Sequence, residues 1–488
     1  MYPTWFSRGI NYRFPFGRWF GGRGRPSAFL LLVLLFVGAF VLLGLISQAV
    51  PPPGGPDGPP SPLAFLSVGE KEAAANEGKG EQTTQQKLYN LHKRLLEYIK
   101  NSPSFDDRRM KGRGIVISGG GQSYLPFLYS LLNHIRQEIK CDLPIEIWTL
   151  RSENSIECND LLESNFSNVT VKVIEDVTYP VSAKALVPLM SKVKRLYFLK
   201  VFSLISSSFR EVLVLDADCV PMEDPVNLFE SPSFVQHGNM FWTDTPPPFS
   251  KSAFFEGTGF KRTWKLETDS GQIFLDKKRT WKGLMGAWFL NQEAPLVYRF
   301  VLGDKDTFPL GFDAAGIHFN QILSPRSGWG GYFGNPNVPH FFFTSFVHFN
   351  PDTRAPAFFH HVSARVKKRI RYLTARPRPL WESVLDYTAL GFTRAQIKQN
   401  PPILLTEAEA RDPKLALRMS GWIVEASLRY QQVFRQFEQS SCYQSSKPSA
   451  LTASRQPSRW RKVGLLKKKP AAQLQATAQQ EEEEQEDE

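Results

Sequence analysis

The stretch VLVLDADCVP, Val212 to Pro221, sets two carboxylates one residue apart directly after four apolar residues. An apolar strand has no structural use for two acids at its tip, where like charges repel unless a cation stands between them. A one-residue spacer lets both side chains, or one directly and one through water, reach the same hard divalent ion. Asp216 and Asp218 therefore read as a metal pair, with capping of the turn before Pro221 as the structural alternative. A cation held there can neutralise a diphosphate as it leaves a sugar, acting as a Lewis acid without proton transfer. The same pattern fits phosphatases of the haloacid dehalogenase kind, whose first aspartate is a nucleophile. In those enzymes it lies on the first strand of the domain, whereas here about one hundred residues of strand and helix pattern come first. Position favours the transferase.

Three downstream segments place polar groups in apolar surroundings. ETDSGQIFLDKKR, Glu267 to Arg279, carries Asp269, Ser270, Gly271 and Gln272 just before a strand-like IFL. GDKDTF carries Asp304, Lys305 and Asp306, while HFNPD and AFFHHVSARVKKR carry His348, His360 and His361. Taken singly each is weak: the Asp and Lys of GDKDTF make an ordinary solvated turn, and the histidines are core residues with satisfied hydrogen bonds. Together with an acid pair they are expected to line one cleft.

The elements that must position these groups follow from periodicity. LYNLHKRLLEYIK has apolar residues at helical spacing, and RGIVISGGG is a short strand ending in Gly119, Gly120 and Gly121. SYLPFLYSLLNHIRQEI predicts a helix, LPIEIWTL and VTVKVI predict strands, and Ala183 to Phe209 predicts a long helix leading to EVLVLDAD. Strands alternating with helices make an α/β fold with a mixed, mostly parallel sheet flanked by helices. Ligands of such sheets gather at the carboxyl ends of strands, where Asp216 and Asp218 stand. PLWESVLDYTALGF and LTEAEARDPKLALRMSGWIVEASLRYQQVFRQFEQ predict helices bracing the cleft.

With 488 residues, 42% of them hydrophobic, the chain has material for a large core. Its net charge of +12 is no nucleic-acid stripe: Arg8, Arg13, Arg18, Arg23 and Arg25 crowd the N-terminus and no acid precedes residue 57. No nucleic-acid partner is expected. From Ser27 to Ser47 run 21 uncharged residues, enough for one membrane-crossing helix, and the arginines before it predict a cytosolic N-terminus. A cleaved secretory signal is the rival reading, but its apolar region would be shorter. The expected organisation is a cytoplasmic tail (1–26), a transmembrane signal anchor (27–47), a Pro/Gly-rich stem (48–86), a lumenal catalytic head (87–445) and a disordered basic-then-acidic tail (446–488). Asn165 and Asn168 head glycosylation triplets. Four cysteines carry no zinc spacing; Cys141 and Cys158 could close a loop, with Cys219 and Cys442 as free buried thiols.

The runs YFLKVFSLISSSFREVLVLDADCVPMEDPVNLF, TDSGQIFLDKKRTWKGL and GDKDTF resemble the fungal Golgi α-mannosyltransferases of glycosyltransferase family 71, over roughly Gly112 to Lys368. The resemblance implies a GT-A-type nucleotide-sugar transferase fold, GDP-mannose as donor, Mn2+ as cofactor, and retaining transfer to a mannose hydroxyl of a glycan in α-1,2 or α-1,3 linkage. It also implies a single-pass type II Golgi membrane protein, acting in protein glycosylation or mannan synthesis, with a Golgi mannosyltransferase complex as a partner. By resemblance Asp216 and Asp218 hold metal and donor diphosphate, with His360 or the adjoining His361 as third ligand. Gly119, Gly120, Lys200, Ser270, Gly271 and Gln272 would bind the donor. DSGQ departs from a pattern usually written ESGQ, so Asp269 is one methylene short for a sugar contact; it is also the candidate nucleophile if retention uses one. Asp304 and Asp306 match the GDK-acid segment and would face a mannose. CDLPIEIW and Cys158 also resemble the family, which supports a Cys141–Cys158 bridge. The reading from another class is a membrane-tethered mannan-binding protein without turnover, which would tolerate loss of both aspartates.

Overall fold

The computed structural model describes residues 83–445, apart from 120, 122, 154, 194–195, 245–251, 265, 325–326, 336–337, 361–378, 386–402, 405–410 and 413–415. The expected anchor, stem up to residue 82 and C-terminal tail, and Gly120 and His361, lie outside the described residues, whereas residues 83–86 of the expected stem already belong to the cap and first turn of the first helix. No helix among the described residues is long and apolar enough to cross a membrane.

Helix α1 (Thr84–Asn101) opens with a capping box, Thr83 and Gln86 each accepting from the other's backbone N–H. Its buried Leu88, Leu91, Leu95 and Ile99 form one helical stripe. The first layer then builds as expected: β1 (Arg113–Ser118), α2 (Leu125–Asn133), β2 (Ile145–Thr149), α3 (Ile156–Asn165), β3 (Val169–Val173), α4 (Phe198–Ser206) and β4 (Glu211–Leu215). The long helix expected over Ala183–Phe209 is broken: a 3-10 turn and a short helix end at Lys192, and α4 starts at Phe198. Strands β3, β2, β1 and β4 run parallel, with Ile115 beside both Ile145 and Leu213.

Beyond β4 the chain departs from a simple alternation. A short β5 (Cys219–Pro221) leaves the first sheet at once, and β6 (Asn239–Thr243) precedes β7 (Thr268–Asp276). Strand β7 returns antiparallel between β4 and β6, making the sheet mixed. Helix α5 (Lys277–Gln292) and α6 (Thr307–Ala314) follow, then β8 (Gln321–Ile322), giving a seven-stranded order β3-β2-β1-β4-β7-β6-β8. Two lysines of α5, Lys277 buried and Lys282 half-buried, tie it down: Lys277 Nζ donates to Leu204 O and Ser207 O, and Lys282 Nζ to Ile99 O and Ser102 O. These are the orphan carbonyls at the ends of α4 and α1.

A second seven-stranded sheet has no counterpart in the sequence reading. It contains β9 (Gly328–Asn335), β10 (Val338–Phe349), β11 (Pro356–His360), β12 (Ser383–Leu385), β13 (Ile403–Leu404) and β14 (Ala416–Arg418), with β5 as an edge strand against β11. Aromatic side chains fill it: Trp329, Phe343, Phe359 and Trp381 are all buried there. Strands thus occupy Ser383–Leu385 and Ala416–Arg418, where helices were expected; the pairing of β12 with β9 and with β14 overrides the local helical pattern. Helix α7 (Gly421–Glu438) is present as expected and α8 (Ser441–Ser445) follows it.

The disulfide expectation is corrected. Cys158 on α3 bonds Cys442 on α8, with Cα atoms 5.2 Å apart and 284 residues between them. Glu157 receives hydrogen bonds from Ser441 and Ser445, so the polar contacts and the bridge dock the same two helices. Cys141 is a buried free thiol, pushed up to about 12 chiefly by burial, and Cys219 is free as well. Asn165 and Asn168 are exposed, with Asn168 at φ 53 in the turn before β3.

Candidate active site

The two sheets meet at Asp216–Asp218, and their pairing explains what gathers there. The Asp216 N–H donates to Gly271 O at 2.8 Å, which sets Asp269, Ser270 and Gly271 beside the tip of β4. One residue past Asp218, β5 pairs antiparallel with β11, and Cys219 lies opposite His360. Strand β10 borders β11 and brings in His348. Residues 91 and 144 positions apart in sequence, Asp269 with His360 and Asp216 with His360, therefore share one corner.

His360 Nε2 lies 3.7 Å from Asp216 Oδ2 and 3.8 Å from Asp218 Oδ1, and these three atoms all fall within 4.8 Å of one another. Two carboxylates and an imidazole converging on one point suit a divalent cation of intermediate hardness. Asp218 is buried, whereas the Asp216 side chain keeps 27% exposure, so the corner opens to solvent on one side. On its inner side His360 Nδ1 donates to Asp269 Oδ2 at 2.6 Å. His348 Nε2 donates to the same oxygen at 2.9 Å, and Gly271 N–H donates to Asp269 Oδ1 at 2.9 Å. Ser327 Oγ bridges His348 Nδ1 at 2.9 Å and the Thr243 carbonyl at 2.7 Å. Gly271 is required by its neighbour: a Cβ there would stand 2.1 Å from His360 Cε1.

Burial opposes charge on both Asp269 and His360, and their mutual attraction outweighs it. His360, with the help of Asp218 and Asp216, is raised to about 9, while His360 and His348 hold Asp269 well below the usual carboxylate range. Lys200 supplies a second cation: its Nζ lies 2.8 Å from Asp216 Oδ1, donates to Ser270 O at 2.8 Å, and stands 3.8 Å from Asp304 Oδ2. Burial would lower its pKa, but Asp216 and Asp304 raise it. Burial raises Asp304, whose Oδ2 has no hydrogen-bond donor among the described residues.

The structure thus brings together Lys200, Asp216, Asp218, Asp269, Ser270, Gly271, Asp304, His348 and His360. Three expectations change. Asp269 is engaged on both oxygens, unlike a free nucleophile, and so is not placed as one. Asp306 is fully buried and turns away, accepting from Leu302 N–H and facing Glu267; burial and Glu267 raise it well above the carboxylate range. Gln272 is also fully buried, and its Oε1 accepts from the Cys219 thiol, so it supports the Asp216–Cys219 turn from below. Gly119 follows β1 at φ 129, a backbone conformation that favours glycine. Sequence reasoning missed Ser327 and Thr243, ordinary hydroxyls with no signal in spacing, and Asp244. The Asp244 carboxylate pairs with Lys305 at 2.6 Å in a neighbouring buried cluster that also holds Glu267, 3.6 Å from Lys305.

A family model described as "Mannosyltransferase putative" matches residues 112–255 and 255–350, a span holding every residue of this corner except His360. The segment 112–350 is similar to that family. Curated relatives include alpha-1,2-mannosyltransferase MNN5 of Saccharomyces cerevisiae, 25% identical over 304 residues, covering 49% of this chain and 50% of the relative. Alpha-1,3-mannosyltransferase MNT3 of the same yeast is 25% identical over 282 residues, covering 46% and 40%. The chain spans about half the length of the curated relatives it matches. Among solved structures, mannosyltransferase Ktr4p of S. cerevisiae aligns at 13% identity over 48% of this chain and 77% of that one, with a TM-score of 0.29. Mouse xyloside xylosyltransferase 1 aligns at 17% identity over 43% and 84%, also with a TM-score of 0.29.

Proposed function

We propose that this chain is a GT-A-type, metal-dependent retaining α-mannosyltransferase that moves mannose from GDP-mannose to a mannose hydroxyl of a glycan, in α-1,2 or α-1,3 linkage. The observation that carries this reading is the convergence of Asp216, Asp218 and His360 Nε2 at a strand tip, the two aspartates lying in a segment similar to a mannosyltransferase family. Mn2+ suits that donor set because carboxylates and imidazole are both among its ligands. A cation bound there would act as Lewis acid toward the donor diphosphate. Lys200, held by Asp216 and Ser270, adds fixed positive charge where the nucleotide's negative charge grows. The Asp304 carboxyl, 4% exposed behind Lys200, holds that lysine beside Asp216. Since Asp269 is already engaged on both oxygens, front-face attack, with the departing phosphate taking the acceptor proton, is favoured over a covalent intermediate.

In the same reading the chain is a single-pass type II Golgi membrane protein: tail 1–26, signal anchor 27–47, stem 48–86, lumenal head 87–445 and tail 446–488, working with other mannosyltransferases in a complex. The Cys158–Cys442 bridge supports a lumenal head, because such bonds persist in oxidising compartments. The test is incubation of the full-length protein with a panel of GDP- and UDP-sugars, Mn2+ and α-mannobiose, with product linkage read by NMR. Transfer from GDP-mannose that disappears in Asp216→Ala supports the reading. Turnover from another donor, or glycan binding that persists unchanged without both aspartates and without turnover, refutes it.

A further inference from the structure

We infer that Asp269 is a positioning residue, not a sugar contact: it fixes which nitrogen of His360 is offered to a cation between Asp216 and Asp218. This rests on the reading of that corner as a cation site. A neutral imidazole has one N–H and one lone pair, and an ionised carboxylate can only accept. With Asp269 Oδ2 at 2.6 Å from Nδ1, the N–H is committed to Nδ1. The lone pair of a ligating ring then falls on Nε2, the atom facing Asp216 and Asp218 at 3.7 and 3.8 Å. The carboxylate is itself immobilised, by Gly271 N–H on Oδ1 and by His348 on Oδ2, and His348 is in turn held at 2.9 Å from Ser327 Oγ. The absent side chain at Gly271 leaves the space the imidazole occupies. Strands β7, β10 and β11 thus each supply one member of a chain that ends on a single nitrogen. A carboxylate behind a ligating histidine fixes its tautomer and raises its basicity, an effect of 10–100-fold on metal affinity.

The experiment is titration of Mn2+ alone into the full-length protein, with free Mn2+ read by electron paramagnetic resonance and melting of the metal-free protein recorded in parallel. Asp269→Asn keeps the size of the side chain but can present an amide N–H to the ring; it is expected to weaken Mn2+ binding 10–100-fold. Ser327→Ala, one step further back, is expected to weaken it by roughly tenfold in the folded protein, beside a modest drop in metal-free melting from the lost buried hydrogen bonds. A merely structural role would lower melting and leave the affinity of the folded protein alone. Equal affinity in wild type and Asp269→Asn overturns the inference while the cation site stands; should that variant not fold, equal affinity in Ser327→Ala does the same. If the wild-type protein binds no Mn2+, the cation reading itself fails.

Discussion

Two clusters of buried charge lie side by side, fed by consecutive residues of one segment. Asp304 turns to Lys200 and Asp216, whereas Lys305 and Asp306 turn to Asp244 and Glu267. Both hold a lysine among carboxylates, and burial opposes the charge of each lysine. They differ in access. Asp216 keeps 27% of its side chain in solvent and Asp244 19%, while Lys305 and Glu267 are shut in at 8% and 1%. The more closed network matches its carboxylates with Lys305 and Arg262 and is a brace; the more open one has an imidazole on its wall and offers a cation a set of ligands. Composition does not distinguish the two, and one residue of chain separates them.

Breaking the open cluster should cost chemistry more than stability. Asp216→Ala is expected to lower transfer from GDP-mannose by about a hundred- to a thousandfold, comparable to loss of a principal electrostatic group, with little change in melting because the side chain is partly solvated. Breaking the closed cluster should do the reverse. Lys305→Met removes the lysine that Asp244 and Glu267 share and should destabilise the fold by about 3–5 kcal/mol in chemical denaturation. If Lys305→Met instead keeps full stability and loses turnover, the division between brace and site is wrong. Gly271→Ala tests the seam from its backbone. The added methyl meets the His360 ring, and a loss of about 1–3 kcal/mol is expected, together with displaced imidazole and weaker Mn2+ binding.

The smallest effect concerns a histidine outside both clusters. His134 is buried, its Nε2 donates to Pro221 O in β5, and burial lowers its pKa to about 4. The unfolded chain therefore binds a proton that the folded chain refuses between pH 6.5 and 4. Stability present above pH 6.5 is lost as pH falls through that window, by at most about 3 kcal/mol, and His134→Gln should flatten the dependence in denaturation midpoints.

The parallel half of the first sheet was legible because β1 to β4 are short apolar runs separated by helical periods, and Asp216 and Asp218 stood out as acids on such a run. DSGQ was legible as polar residues ahead of IFL. The second sheet was not: its strands are aromatic runs such as FFFTSFVHF, without clean alternation, and their pairing is long-range. The third-ligand reading of His360 came from family resemblance, whereas its facing of Asp218 depends on β5 pairing β11. Asp304 and Asp306 look alike in GDKDTF, and only the turn into α6 sends one to the site and the other inward. The Cys158–Cys442 bridge spans the whole head, and spacing favoured the nearer Cys141.

The central claim is that Asp216, Asp218 and His360 hold a cation that the transfer step requires. Mannose transfer from GDP-mannose by the full-length protein, measured after exhaustive chelation and again after Mn2+ is restored, tests it most directly. The account predicts activity abolished by chelation and recovered with Mn2+. Undiminished transfer by the chelated protein would contradict it.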